Sequence, residues 1–138
     1  MHEWSLASAI VDSVDKWARE NNVSNVIKVV VEIPSISMID LEILKEAFDM
    51  LKQESRLAKA TLEVRVVMPK IRCRRCGYTL TDDDVRAQLN ELMKGYGEEY
   101  PLHLMPDLAP ALLKCPRCGS HDLEMEEPRI KVVEVATE

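Results

Sequence analysis

Four cysteines stand in two C-x-x-C pairs, Cys73 and Cys76 in "CRRC" and Cys115 and Cys118 in "CPRC", with none left over. Each such turn presents two thiolates from one tight knuckle, and two knuckles complete the tetrahedral set of soft ligands that structural zinc takes. Lys70, Arg72, Arg74 and Arg75 flank the first pair and Lys114 and Arg117 the second. Their charge offsets the formal −2 of a zinc tetrathiolate and favours deprotonated ligands. Gly77 and Gly119, one residue past each pair, suit the turn that follows. Four protein thiolates leave no open coordination position, so the site is expected to hold a small domain together rather than to do chemistry. Iron in a rubredoxin-like site and a thioredoxin-like redox pair are the other uses of such cysteines. The redox reading fits less well, because two pairs are present and neither opens a helix after a strand.

A second group of chemistry-bearing residues opens the sequence, which reads "MHEW". An imidazole at position 2 and a carboxylate at position 3 follow the first residue directly. With a bulky histidine next to it, Met1 is expected to be retained with its α-amine free. That amine, the backbone nitrogens of His2 and Glu3 and the imidazole of His2 can then converge as an all-nitrogen set. Such a set suits Ni(II) or Cu(II), which favour tetragonal or square-planar nitrogen coordination, better than it suits zinc. The helical pattern begins at Trp4, so this group is expected at a helix N-terminus anchored by a large apolar side chain. His103 lies 12 residues before Cys115, in the proline-punctuated stretch "YPLHLMPDLAP", read as extended. From there it is a candidate supplementary nickel ligand. His121, three residues after Cys118, is expected to hydrogen-bond near the zinc thiolates rather than replace one.

The elements that must position these groups follow from periodicity. From Trp4 to Glu20, Leu6, Ile10, Val14 and Trp17 recur at helical spacing, with Asp12, Asp15 and Arg19 between them. "VIKVVVEI" is β-branched enough for a strand that Pro34 ends. "IDLEILKEAFDMLKQES" places Leu41, Leu44, Phe48 and Leu51 on one helical face, leaving Glu42, Glu46 and Asp49 on a wet one. "TLEVRVV" alternates as a half-exposed strand, and "RIKVVEV" resembles it near the C-terminus. The implied class is α+β: a small two-layer domain, two helices on one face of a three-stranded sheet, with an inserted zinc-ribbon-like domain. The expected boundaries are 1–68 plus 129–138 for the first domain and 69–128 for the insertion, which begins and ends at Pro69 and Pro128 and contains every cysteine. Within the insertion, the 38 residues from 77 to 114 include "TDDDVRAQLNELM", a capped helix.

The bulk properties limit the function. With 138 residues, 46% hydrophobic and 30% charged, the chain suits one modest core plus a metal-stapled appendage. A formal charge of −6 argues against a surface built to neutralise phosphates. No run approaches the roughly 20 apolar residues of a membrane span, and early charges such as Glu3, Asp12 and Asp15 do not suit a signal peptide. A cytoplasmic location is expected. With four glycines in all, the chain has no phosphate-cradling loop, no nucleophile elbow and no H-E-x-x-H helix. It is expected not to be an enzyme, and any nucleotide chemistry belongs to a partner.

An N-terminal "MHEWSLASAI" followed by "CRRCG" and "CPRCGSHDLE" resembles the HypA/HybF family of nickel metallochaperones for [NiFe] hydrogenase, over essentially the whole chain. The long gap between the cysteine pairs is similar to that of archaeal members. The resemblance implies transient Ni(II) at Met1, His2 and Glu3 and structural Zn(II) at Cys73, Cys76, Cys115 and Cys118. It also implies a HypB-type GTPase partner and delivery to the hydrogenase large subunit or its maturation complex. Either a monomer or a homodimer is compatible with it. Where the family usually has Gly-Glu-Leu at the end of the first strand, this chain reads "VEIPSIS". The alternative function is a zinc-ribbon nucleic-acid or transcription-associated adaptor, suggested by the basic "KIRCRRC". The net acidity and the single phenylalanine speak against it, and specific nucleic-acid binding is not expected.

Overall fold

The structure, a computed structural model, describes residues 2–96, 101–103 and 105–138, apart from the side chain of His103. Its elements are α1 (His2–Glu20), β1 (Val26–Pro34), α2 (Leu41–Leu51), β2 (Thr61–Val67), β3 (Ile71–Cys73), α3 (Asp82–Tyr96), α4 (Ala109–Leu112), β4 (Leu123–Met125) and β5 (Lys131–Thr137). They divide between two compact units. One comprises Met1–Ile33, Ile39–Val66 and Ile130–Glu138; the other comprises Pro34–Met38 and Val67–Arg129. Besides the long segment that carries the cysteines, the second unit therefore takes in five residues from the β1–α2 connection.

In the first unit the strand order is β2–β1–β5, which puts the β-branched run of β1 in the centre. Val29, Val30 and Val31 are fully buried there, whereas both edge strands are largely exposed. β5 runs antiparallel to β1, with Val29 opposite Val135 and Val31 opposite Val132, while Val30 faces Glu134. Val133 is thus an extra residue on the outer strand. Such a bulge bends an edge strand and discourages pairing with another chain.

α1 and α2 pack against each other, and the row that α1 buries is Ala7, Ile10, Val11, Val14 and Ala18. Trp17, expected in the core from its spacing, is instead 40% exposed, as is Leu51 on α2, where Ala47 is buried beside Leu44 and Phe48. Helix separation depends on the side chains at the contact. Ala7, Ala18 and Ala47 are buried in this core together with Ile10, Val14, Leu44 and Phe48, so small and large side chains share it.

Asp15, expected among the polar positions of the helix, is only 9% exposed. Its Oδ1 accepts from the Arg56 backbone N–H at 2.9 Å, and its Oδ2 pairs with Arg19 at 2.9 Å. The Arg56 guanidinium donates to the carbonyls of Ala18, at 3.4 Å, and Val23, at 2.9 Å. Its own carbonyl accepts from Val26 N at 2.9 Å. The Asp15 carboxylate and the backbone and side chain of Arg56 thus supply partners for the end of α1, the start of β1 and the turn before β2.

In the second unit, β3 and β4 form an antiparallel ribbon with Ile71 opposite Met125 and Cys73 opposite Leu123. α3 begins at the anticipated cap: Thr81 Oγ1 accepts from Asp84 N at 3.1 Å, and Asp84 Oδ2 accepts in return from Thr81 N at 3.0 Å. The stretch read from sequence as extended is instead coiled, with 3₁₀ turns at Pro101–His103 and Pro106–Leu108 leading into α4. Proline is tolerated in a first helical turn, where its missing N–H would have no partner, so the prolines here open turns rather than forbid them. This unit's core includes Ile71, Leu80, Val85, Leu89, Leu102 and Leu113, with Cys73, Cys115 and Ile36.

Asp15→Ala leaves the Arg56 amide without its acceptor and should lower unfolding free energy by about 1–3 kcal/mol. Arg19→Ala, whose side chain is 64% exposed, should cost under about 1 kcal/mol. Urea denaturation of both variants measures the contrast; equal losses would mean that the ion pair, and not the buried hydrogen bond, matters.

Candidate metal sites

Both cysteine knuckles adopt the same backbone. Gly77 N donates to Cys73 O at 2.9 Å and Gly119 N to Cys115 O at 2.8 Å, while Cys73 N donates to Tyr78 O and Cys115 N to Ser120 O, each at 2.8 Å. Gly77 and Gly119 have φ of +81° and +76°, in the left-handed region where a side chain is strained. The repetition brings the four sulfurs within 4.8 Å of one another. Across the knuckles, Cys73 Sγ lies 3.6 Å from Cys118 Sγ and Cys76 Sγ 3.6 Å from Cys115 Sγ. All four cysteines are free. The sulfurs are too far apart for a disulfide, and their spacing suits a tetrahedral ion with metal–sulfur bonds of about 2.3 Å, for which neighbouring sulfurs would be about 3.8 Å apart.

Cys73 and Cys115 are buried and Cys76 and Cys118 exposed. Backbone N–H groups aimed at the sulfurs shape their acidity. That of Cys76 leads in bringing the Cys73 thiol down to about 7. Burial pushes the Cys115 thiol up, but the N–H groups of Cys118 and Arg117 outweigh it and leave it lowered. For Cys118, the Ser120 N–H lowers the thiol, yet burial and the other three sulfurs push it up to about 11. Without a cation the cluster cannot place four negative charges side by side; a divalent metal relieves that repulsion.

The basic residues around the knuckles are partly used within the ribbon. Arg72 pairs with Glu124 at 2.6 Å, and Arg74 reaches Asp122 at 3.4 Å and Glu124 at 3.6 Å. Two of the four basic residues of "KIRCRRC" are thus already paired with carboxylates of the same ribbon. His121 Nδ1 lies 2.9 Å from the carbonyl of Leu113, so its ring spans the two flanks of the second knuckle. Sequence reasoning missed Gln88. Its side-chain amide donates to Lys114 O at 2.8 Å and accepts from Lys114 N at 2.9 Å, so α3 holds the chain just before Cys115 as a neighbouring strand would. A polar residue on a helix face carries no local signal of that role.

At the other candidate site, His2 begins α1 and is half-buried, and Met1 and the side chain of His103 lie outside the described residues. Glu3 is 9% exposed, and its Oε1 accepts from the backbone N–H of Asp40 at 3.1 Å. Asp40 is the N-cap of α2, its Oδ1 accepting from Glu42 N at 3.1 Å and Ile43 N at 3.2 Å. Burial pushes the Glu3 carboxyl up, but hydrogen bonding led by the Asp40 N–H outweighs it and holds the group below its ordinary 4.5. Trp4, expected to be the anchor, is 37% exposed. The start of α1 is held by a carboxylate at the N-terminus of α2, where the helix dipole also favours negative charge.

Compared with known proteins, residues 1–135 match the family described as hydrogenase/urease nickel incorporation, metallochaperone, hypA. The chain belongs to the HypA family. Relatives named hydrogenase maturation factor HypA include one from Ignicoccus hospitalis, 36% identical over 136 residues, 97% of this chain and 94% of the relative. Another, from Pyrococcus horikoshii, is 35% identical over 129 residues, 94% of this chain and 89% of the relative. The fold is similar to the solution structure of the Ni metallochaperone HypA from Helicobacter pylori, with a TM-score of 0.58 and 18% identity over 99% of this chain and 97% of that one. Among the described residues no helix is long and apolar enough to cross a membrane.

A carboxyl held below 4.5 in the folded state adds stability above that pH, and the contribution is lost as the pH falls through its folded value. Glu3→Gln should therefore cost about 1 kcal/mol at neutral pH, the difference between a charged and a neutral acceptor. Below the folded pKa of Glu3 the variant and the native chain should converge. Unfolding curves measured at falling pH check this; a gap that does not narrow on acidification would contradict it.

Proposed function

We propose that this chain is a nickel carrier for hydrogenase maturation, binding Ni(II) transiently at its N-terminal group and retaining Zn(II) in the four-cysteine cluster. The observation that carries the reading is the family match over residues 1–135, which spans the Met-His-Glu start and both cysteine pairs. The metallochaperone name of the Helicobacter pylori protein, whose fold is similar, supports the same reading. In this proposal Cys73, Cys76, Cys115 and Cys118 hold zinc as four thiolates. The ion supplies a crosslink that a small core needs, and no open position for catalysis.

Nickel is cargo and needs a different kind of site. The His2 imidazole, the backbone nitrogens of His2 and Glu3 and the α-amine of Met1 form a nitrogen set suited to a tetragonal or square-planar ion. With its carboxylate held by Asp40, Glu3 serves as the anchor from which that backbone is presented. Deprotonation of amine and amide nitrogens couples binding to pH, so acidification favours release. His103 is a supplementary ligand in this scheme. The chain acts as a carrier, not an enzyme, in the cytoplasm. A HypB-type GTPase supplies nucleotide chemistry, and the hydrogenase large subunit or its maturation complex receives the metal.

Calorimetric nickel titration, with zinc quantified in each sample, tests the assignment. Adding one residue ahead of Met1 converts its amine to an amide, and His2→Ala removes the imidazole. Each should weaken nickel binding at least tenfold, an energy of about 1.4 kcal/mol, with zinc still at one ion per chain. Native affinity in the extended form would exclude the amine as a ligand.

Zinc itself is tested by Cys73→Ala and Cys115→Ala, which remove one ligand from each knuckle. Both should lose zinc and the structure of the second unit, while the helical signal of the first unit remains. A native spectrum with full zinc in either variant would overturn the four-thiolate site.

A further inference from the structure

The segment Pro34–Met38 runs from the end of β1 toward α2, yet it belongs to the second unit. Ser35–Ser37 form a 3₁₀ turn closed by Met38 N donating to Ser35 O at 3.1 Å, and this turn packs beside the one at Pro101–His103. Ile36 is fully buried in the core that contains Cys73, Leu80, Leu113 and Cys115. An isoleucine sealed in this way is a strong apolar hold.

Two features on either side of the contact work against it. Ser37 is 1% exposed, and its hydroxyl has no hydrogen-bond partner among the described residues. A polar group that gives up water and gains nothing favours the undocked state. Met38 adopts φ 52° and ψ 40°, the left-handed conformation that an L side chain with a Cβ disfavours. Neither feature is required for the packing of Ile36, since an alanine at 37 and a glycine at 38 would each remove a penalty.

We propose that Pro34–Met38 is a releasable strap, plugged into the second unit by Ile36 and kept only weakly seated by the Ser37 hydroxyl and the Met38 backbone. It lets go while the second unit stays folded. Seated, the five residues of the strap are part of the second unit. Released, its five residues are a free linker that leads directly to Asp40, the residue whose amide anchors Glu3. The strap contains no proposed metal ligand, although Ile36 shares its core with Cys73 and Cys115.

Amide hydrogen exchange, resolved residue by residue on the zinc-loaded full chain, tests this. The Met38 amide reports the strap, and the amides of Cys73 and Leu80, bonded to Tyr78 O and Ile71 O, report the unit itself. Met38 should exchange at least about tenfold faster than those two amides, after correction for intrinsic rates, as local opening does. Exchange of all three in step would overturn the proposal. Ser37→Ala should slow Met38 exchange by about tenfold, the effect of removing one unsatisfied buried group, whereas Ile36→Val should speed it, leaving the Cys73 and Leu80 amides within about twofold in both. If Ser37→Ala leaves Met38 exchange unchanged or faster, the hydroxyl does not oppose the strap and the inference fails.

Discussion

The second unit depends on bringing four sulfurs within 4.8 Å of one another. Two of them, on Cys73 and Cys115, are core side chains, buried among Ile71, Leu80 and Leu113. The apolar cluster and the thiolate cluster are therefore one structure with two kinds of cohesion. A unit of this size has little apolar surface to bury, and crosslinks are how small domains make up the difference. Around that constraint the chain spends its best local geometry: two glycines at positive φ, two matching knuckles, and Gln88 holding the approach to Cys115 with both ends of its amide.

The first unit rests on a different principle. Its sheet has a largely buried central strand, and its helices contribute Ala7, Ile10, Val14, Leu44, Ala47 and Phe48 to the same core, so its cohesion comes from apolar packing. The polar groups that packing traps are satisfied by a few charged side chains. Asp15 and Arg56 serve the far end of α1, and Glu3 and Asp40 serve its beginning. In both places a carboxylate meets a backbone N–H, an arrangement that turns the burial of a charge into a positional constraint. The Glu3–Asp40 contact holds the start of α1, where His2, one of the proposed nickel ligands, stands.

The two proposed metal sites follow opposite requirements. Four soft thiolates from two rigid turns suit an ion that stays. A short set of nitrogens at a helix start, with protons to lose on binding, suits an ion that must leave. Placing them in separate units lets each be built without compromising the other. Family membership and the geometry of the cysteine cluster are consistent with that division of labour.

What the sequence by itself determined was whatever depends on neighbours along the chain. The knuckles, their glycines, the Thr81–Asp84 cap of α3 and the β-branched centre of the sheet are local patterns, and each is present where the pattern places it. The four cysteines needed no fold to be grouped, because an even count in two matching turns has one economical use. Tertiary structure alone decided which residues of α1 are buried, with Trp17 out and Ala18 in, because a small residue such as alanine carries little weight in a hydrophobic period. It also decided that Glu3 is an anchor, that Asp15 is buried, that Gln88 mimics a strand, and that Ile36 belongs with the cysteines. Each of these joins residues that lie 26 or more apart in sequence, with 37 between Glu3 and Asp40 and 26 between Gln88 and Lys114. A single side chain read in its own window cannot announce a partner at that distance; only the folded chain supplies it.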